Sequence, residues 1–423
     1  MKKIFFLFSL CTIIQAANGQ VLKKVTDRVK NRVDNNANNK VNNTVDKTVD
    51  DAMNPNKSKD NNSGDPNANA GATKNNGIGS GPATLKTYSK YDFVPGEKII
   101  VFEDFGQDAV GDFPDKWNTN AAGEVMTIEG KQGHWFAIGK TGVYMPDFID
   151  SLPDDFTLEF DMLVDKPVHS WGINVNLTQL PDRNRPADWS YAKNNFSLNI
   201  LPGSPDFNNN GTSSYRKKKN GVEESSNTTK LTQFIDISRP VHVAFWRQKE
   251  RLRVYLNEEK TWDVPKAILP EAKLNSLVFN IPTSNDQWRY LITNLRLAVG
   301  APDTRKKILE QNKWVTHGIL FDVNSDKIKP ESYGTLKEMA NVLKEYADLK
   351  VKIVGHTDAD GKDDANLDLS KRRAASVKAA LAKEFGIDES RMETDGKGES
   401  EPIDKNDTPA GKANNRRVEF IKI

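Results

Sequence analysis

Apolar and polar residues alternate with a period of two over much of residues 92–300. Successive side chains of a β-strand point to opposite faces, so this period predicts strands with one buried face. Many short strands separated by turn residues, with almost no helical pattern, are typical of a two-sheet sandwich. The clearest apolar sets are Phe156, Leu158, Phe160 and Met162; Trp171, Ile173, Val175 and Leu177; Val241, Val243 and Phe245; and Leu252, Val254 and Leu256.

A different pattern begins at residue 314. Short apolar strands such as "KVKIVGHT" alternate there with segments whose apolar residues recur every three or four positions, the spacing of one helix face. Strands alternating with helices over residues 314–423 predict a compact α/β domain. The charged residues 301–313 before it are predicted to be a linker. The helical stripes are Leu336, Met339, Leu343 and Tyr346, then Leu369, Val377, Leu381 and Phe385.

Residues 1–19 have the pattern of a secretory signal peptide: two lysines, an apolar run, and small residues before Gln20. The single cysteine of the chain, Cys11, lies inside the apolar run. Leu10 before it is too bulky for a lipoprotein cleavage site, so lipidation is not predicted. The mature chain would contain no thiol, which excludes disulfides and cysteine ligation.

Residues 20–91 are predicted to be a low-complexity leader and tether. Valine recurs nearly every fourth position over residues 21–53, and two interpretations stay open: a partner-binding helix, or a loosely helical or disordered leader. The rest of the leader is rich in Asn, Gly, Ser and Pro, so it cannot bury a core.

Charge adds little to this picture. The chain has 60 Lys and Arg residues against 58 Asp and Glu residues. This near balance gives no overall attraction to nucleic acid or to an acidic membrane surface, so we predict no nucleic-acid partner. No segment after the signal peptide reaches the roughly 18 apolar residues of a membrane-spanning helix.

Four blocks near the C-terminus resemble the OmpA-like domain, in the family's order and spacing: "LFDVNSDKIKPE", "GHTDADGKDDANLDLSKRRAASV", "GKGESEPID" and "NRRVEF". Residues 92–300 resemble the concanavalin-like and laminin-G-like jelly rolls, through "VFEDFGQDAVGDFPDKW" and "WRYLITNLRLAV". We therefore expect a multidomain chain: a disordered or partly helical leader, an all-β jelly-roll sandwich, and an α/β OmpA-like domain.

The OmpA-like resemblance implies peptidoglycan binding through the diaminopimelate of the stem peptide in Gram-negative bacteria. The free end of that residue carries an ammonium and a carboxylate, so it needs one acceptor and one forked donor. By resemblance, Asp358 and Arg373 take these two roles. The sequence predicts that Lys371, Arg372 and Arg373 lie in the first helical turn, where cations are unfavourable unless an anion docks. Further positions that line or shape the family's pocket are Asn324, Thr357, Asn366 and Leu369.

The resulting prediction is a noncatalytic envelope protein, exported and associated with the cell wall or outer membrane, with no cofactor and no catalytic residue. Its sandwich would bind carbohydrate or protein. His356 beside Asp358 is not predicted to hold a metal. The alternative is a carbohydrate-active hydrolase anchored to peptidoglycan. Its acids would be Glu159 and Asp161, which share one strand face that the alternation places in solvent.

Overall fold

The structure is a computed structural model, and it describes residues 91–423 except 167, 169, 170, 204–210, 235, 237, 284–287, 301 and 302. The predicted signal peptide and residues 20–90 of the predicted leader lie outside the described residues. Within the described part of the chain, no helix is both long and apolar enough to cross a membrane.

The first part of the described chain consists of β-strands, and we call β1–β15 the β module. Its strands are β1 (Lys98–Glu103), β2 (Trp117–Thr119), β3 (Gly123–Met126), β4 (Trp135–Ile138), β5 (Gly142–Pro146), β6 (Asp155–Val164), β7 (Ile173–Thr178), β8 (Asn195–Leu201), β9 (Gly211–Lys219), β10 (Val222–Leu231), β11 (Val241–Gln248), β12 (Arg251–Leu256), β13 (Glu259–Val264), β14 (Ser276–Ile281) and β15 (Tyr290–Val299).

These strands form two antiparallel sheets around one apolar core. The first sheet has the order β13-β12-β11-β6-β15-β4-β3, with β1 also paired to β15, and the second has the order β10-β9-β8-β7-β14-β5-β2. The core contains side chains from both sheets, for example Phe160 from the first and Phe279 from the second. The predicted two-sheet arrangement is confirmed, and the narrower jelly-roll class stays a prediction.

The core face predicted for the strands is confirmed except at Trp171, but several residues of the opposite face of β6 and β11 are buried as well. Phe156, Leu158 and Phe160 are at most 1% exposed. Trp171, however, precedes β7, has a positive φ of 55°, and is 64% exposed, so its assignment to the core was wrong. Glu159 was expected in solvent and is 2% exposed. Another part of the chain covers that face of β6.

The remaining elements form the C-terminal module, which packs helices on a small mixed sheet. Its sheet has the order β16-β19-β17-β18, with β17 and β18 parallel. Leu336, Met339 and Leu343 from the predicted helical stripe are buried in its core. The elements are α1 (Thr304–Glu310), β16 (Lys313–Thr316), α2 (Tyr333–Glu345), β17 (Val351–Gly355), α3 (Asp363–Phe385), β18 (Met392–Gly396), α4 (Pro409–Asn415) and β19 (Val418–Lys422).

The two modules are in direct contact. The side chain of Asn414 on α4 accepts from the backbone N–H of Ile99 at 3.0 Å and donates to its carbonyl at 2.9 Å. Gly334 on α2 lies so close to the carbonyl oxygen of Phe93 that a Cβ there would be 2.0 Å away. Residues 301–313, predicted as a linker, include α1, whose Ile308 is fully buried in the C-terminal core.

Candidate functional site

Asp358 lies in the loop after β17. The backbone N–H groups of His356 and Thr357 donate to the carbonyls of Arg417 and Gly398, at 3.0 and 2.9 Å, so the loop is fixed on both sides. The Asp358 carboxylate is nearly buried, and its Oδ2 accepts from Nη1 of Arg416 at 2.5 Å. Its Oδ1 accepts the backbone N–H of Asp360 at 3.2 Å. Asp358 is thus held in one position by both of its oxygens.

Arg373 projects from α3 into the same region. Its Nε donates to the carbonyl of Ser325 at 3.0 Å, and its guanidinium lies over the ring of Phe321, 4.9 Å from the centroid. Burial, followed by the neighbouring charge of Arg416, lowers the pKa of Arg373 to about 10, so it is charged at neutral pH. Among the described residues, no acceptor contacts its two terminal nitrogens. The forked end of this side chain can therefore donate to a ligand.

The other four predicted residues surround these two. Asn366 is buried and donates to the carbonyls of Asp358 and Asp360, at 3.3 and 3.1 Å, which fixes the loop. Thr357 is 5% exposed, and its Oγ1 has no partner among the described residues. Leu369 is half-buried on α3, and Asn324 is exposed with a positive φ of 52°.

A cavity of about 440 Å³ lies between these residues, within the size range of small-ligand sites. It brings together all six residues predicted from the sequence. The lining from this part of the chain is Asn324, Thr357, Asp358, Asn366, Leu369 and Arg373. A carboxylate and a guanidinium from consecutive elements thus line one cavity.

The β module forms the opposite wall of this cavity, which the sequence did not indicate. Its contribution includes Phe102 and Asp104 at the end of β1, Glu159 and Asp161 on β6, His242 on β11, and Asn294 and Arg296 on β15.

Four of these side chains form a buried charge cluster. Arg296 binds Glu159 through two hydrogen bonds, from Nη2 at 2.7 Å and from Nε at 3.1 Å, and its Nη1 donates across the module boundary to the carbonyl of His317 at 3.2 Å. His242 donates from Nδ1 to Asp161 at 2.8 Å and from Nε2 to Glu159 at 3.2 Å. The cluster therefore contains two acidic and two basic groups.

The ionisation of the cluster follows from its contacts. Burial alone would raise the pKa of Glu159, but the charges of Arg296 and His242 outweigh burial and hold it below its ordinary value. The pKa of Asp161 is likewise lowered against burial, mainly by its hydrogen bond from His242. Burial opposes charge on His242, but the two carboxylates raise its pKa to about 10. All four groups are charged at neutral pH.

Arg416 is a site residue that the sequence did not assign. The motif "NRRV" contains two adjacent arginines that have different roles in the structure. Arg417 is structural, because it is buried and donates from Nε to Glu419 at 2.9 Å. Arg416 instead pairs with Asp358 and lies over the ring of Phe102 in the β module, 5.2 Å from its centroid. Its place within a recognised motif was the available signal.

The helix that carries Arg373 begins earlier than expected. α3 starts at Asp363 and has acidic residues in its first turn, as the helix dipole favours. Arg373 consequently lies about three turns from the helix start, and its assignment to the first turn was wrong. Arg372 donates to Asp368 at 2.8 Å and pairs with Asp326 at 3.2 Å. The presumed conflict between these cations and the helix dipole therefore does not exist.

His356, considered and rejected as a metal ligand, is buried with its Nε2 3.6 Å from Glu419. Burial would raise the pKa of Glu419, but His356, Lys313 and Arg417 together lower it to about 2. The described residues contain no group of three or more side chains placed to hold a metal ion.

Known proteins resemble the C-terminal module. Residues 320–416 match the OmpA family. Probable lipoprotein YiaD of Escherichia coli K12 is 46% identical over 104 residues, which are 25% of this chain and 47% of that protein. Outer-membrane lipoprotein YfiB of Pseudomonas aeruginosa is 42% identical over 103 residues, 24% of this chain and 61% of that protein. Each match covers less than two thirds of the relative's own length.

Among solved structures, the peptidoglycan-associated lipoprotein from Burkholderia pseudomallei is 26% identical. The match covers 29% of this chain and 98% of that chain, with a TM-score of 0.25. The family match over residues 320–416 includes Asp358 and Arg373. Together with these relatives, it supports an OmpA family domain at residues 320–416.

Proposed function

We propose that this chain is a noncatalytic cell-envelope protein that binds peptidoglycan in the cavity described above. The observation that carries the proposal is that Asp358 and Arg373, chosen from the sequence as an acceptor and a forked donor, both line one cavity. A concave site of this volume with a few charged groups in its lining is typical of small-ligand binding.

The ligand is the free end of the diaminopimelate residue of the stem peptide. Its ammonium binds the Asp358 carboxylate, and its carboxylate accepts from the terminal nitrogens of Arg373, which have no protein acceptor among the described residues. The hydroxyl of Thr357, buried without a described partner, supplies one further hydrogen bond. Arg416 holds the Asp358 carboxylate in place until the ligand arrives.

The location follows from the same proposal. Relatives of the C-terminal module include an outer-membrane lipoprotein and an outer membrane porin of Pseudomonas aeruginosa, 42% and 41% identical over their matched residues. We place this chain in the same compartment: exported to the periplasm and associated with the cell wall or outer membrane.

The β module would bind carbohydrate or protein. A row of half-buried amides on its second sheet supports this role: Asn199 donates to Asn174 at 2.9 Å, and Asn174 donates to Asn280 at 3.0 Å. Amide groups of this kind can exchange their mutual hydrogen bonds for sugar hydroxyls or peptide groups.

The alternative, a hydrolase using Glu159 and Asp161, is not favoured by the geometry. A glycosidase needs one carboxyl group that keeps its proton near neutral pH. Here the pKa of both carboxyls is lowered, and Glu159 is 2% exposed beneath the C-terminal module. Product release from a glycan panel by the full chain would support the hydrolase, and retention without product would support the binding role.

Cosedimentation with purified sacculi tests the proposal. Asp358→Asn and Arg373→Gln should each weaken binding by at least about tenfold, because a hydrogen bond between charged groups contributes roughly 1.5–3 kcal/mol. Asp407→Asn and Arg372→Gln are the matched controls, because both side chains are exposed and each substitution removes the same charge as the corresponding substitution in the pocket. Equal sedimentation of all five proteins would contradict the proposed pocket.

A further inference from the structure

A second set of polar and charged residues, contributed by both modules, also lines the cavity. We call this set the inter-module end and define it by Asp161 and Asn294 of the β module and Lys329 and Glu331 of the C-terminal module. Asn294 donates to Asp161 at 2.8 Å, and Lys329 is near enough to Asp161 to influence its ionisation. None of the four residues belongs to the peptidoglycan site predicted from the sequence.

Two of these residues have unused charged groups. Among the described residues, none forms a hydrogen bond or an ion pair with the ammonium of Lys329. The Oε2 atom of Glu331, two positions further along the chain, is buried and has no described partner. Asp161 differs from both, because His242 and Asn294 each donate to it at 2.8 Å. The inter-module end thus has one available donor and one available acceptor.

The surrounding charges permit an anion here. Asp161 and Glu159 would repel a carboxylate if they were unpaired, but the charges of His242 and Arg296 balance them. The four charges of this cluster therefore cancel. Lys329, which is near enough to Asp161 to influence its ionisation, is a cation of the inter-module end without an ion-pair partner among the described residues.

We propose that the inter-module end binds a second charged group of the same peptide, with Lys329 holding a carboxylate of a residue next to the diaminopimelate. This inference rests on the proposed function and extends its ligand from one amino-acid end to a longer segment of the stem peptide. Glu331 accepts an amide N–H of that segment. The β module closes the pocket over the peptide and so helps to select it.

Two carboxylates of an uncross-linked stem peptide could occupy this end. One is the free α-carboxylate of the γ-linked glutamate before the diaminopimelate, and the other is the terminal carboxylate of the alanine after it. Both present the same chemistry to Lys329. They can be separated by changing the peptide, because amidation of the glutamate to isoglutamine removes the first and amidation of the terminal alanine removes the second.

The test is a cycle in which protein and peptide are changed together, with affinities measured by isothermal titration calorimetry. The proteins are the full mature chain, Lys329→Gln and the control Lys327→Gln. The side chain of Lys327 is 78% exposed, pairs with Asp322 at 3.2 Å, and does not line the cavity. The peptides are the alanyl-γ-glutamyl-diaminopimelyl-alanine tetrapeptide, its isoglutamine form, and its form with the terminal alanine amidated.

The proposal predicts that Lys329→Gln weakens tetrapeptide binding about tenfold, as expected for a charge-assisted contact in a partly enclosed site. One of the two altered peptides should lose this sensitivity to Lys329→Gln, which identifies the bound carboxylate. Lys327→Gln should bind all three peptides like the wild type. An equal loss for all three peptides, or no loss for any, would overturn the inference.

The same measurements separate this inference from the proposed function. If Asp358→Asn abolishes tetrapeptide binding and Lys329→Gln leaves it unchanged, the peptidoglycan pocket stands and only the second contact is refuted. If the wild-type chain binds none of the three peptides, both are refuted together.

Discussion

His242 provides the most demanding test of the buried charge cluster. Its ring lies between two carboxylates, donating to Asp161 at 2.8 Å and to Glu159 at 3.2 Å, and it is 7% exposed. Arg296, Lys329 and Glu258 are the other charged groups that act on the cluster. Replacing His242 by Gln keeps a polar side chain of similar length and removes the positive charge.

The size of the effect follows from the pKa. Although burial opposes it, the two carboxylates raise the pKa of His242 from 6.5 to about 10. The folded-state pKa is higher than the unfolded one, so the stabilisation is complete below pH 6.5 and is lost as pH rises toward 10. A shift of one pKa unit corresponds to about 1.36 kcal/mol, and breaking a buried ion pair costs roughly 3–5 kcal/mol. We therefore expect the contribution of His242 to the unfolding free energy to fall by about 3–5 kcal/mol across this pH range.

Urea unfolding followed by tryptophan fluorescence at pH 6, 8 and 10 measures this loss. The difference in unfolding free energy between the wild type and His242→Gln should be largest at pH 6 and should shrink toward pH 10. Lysine and tyrosine titrations affect both proteins and cancel in the difference. His134→Gln, a histidine away from the cluster that contacts the carbonyl of Phe105 at 2.7 Å, is the control. A difference that does not change with pH would refute the assigned charge state.

Two further predictions concern the contact between the modules. Gly334→Ala should destabilise the protein by about 1–3 kcal/mol, because the new Cβ would lie 2.0 Å from the carbonyl oxygen of Phe93; an unchanged midpoint in urea would contradict this. Asn414→Ala should lower the unfolding free energy by about 2–4 kcal/mol in the same assay, because it leaves the buried N–H and carbonyl of Ile99 without their partner. A decrease below about 0.5 kcal/mol would show that the two modules do not depend on this contact.

The strands of the β module could be predicted because their signal is local. In a strand the side-chain period is fixed by backbone geometry, so Phe156, Leu158 and Phe160 identify the buried face without knowledge of the rest of the chain. Trp171 shows where this reasoning fails. It continues the alternation of β7 but precedes the strand, and its positive φ turns it away from the core.

The candidate site was predictable to the extent that it belongs to a recognised motif. Motif positions identified Asp358 and Arg373, and both line the cavity. The start of α3 was predicted too late, because the acidic first turn beginning at Asp363 is a stronger signal for a helix start than the basic run that follows it. Arg416 was missed because a motif does not state which of two adjacent arginines pairs with Asp358.

The wall supplied by the β module was not predictable from local pattern. Alternation shows that Glu159 lies opposite the core face of β6, and an uncovered sheet face is solvated, so solvent was the natural expectation. That face is covered by residues far along the chain, such as His317, whose carbonyl accepts from Arg296. Because Arg296 and Phe102 lie outside the matched residues 320–416, any peptide selectivity that they confer should vary among relatives independently of Asp358 and Arg373.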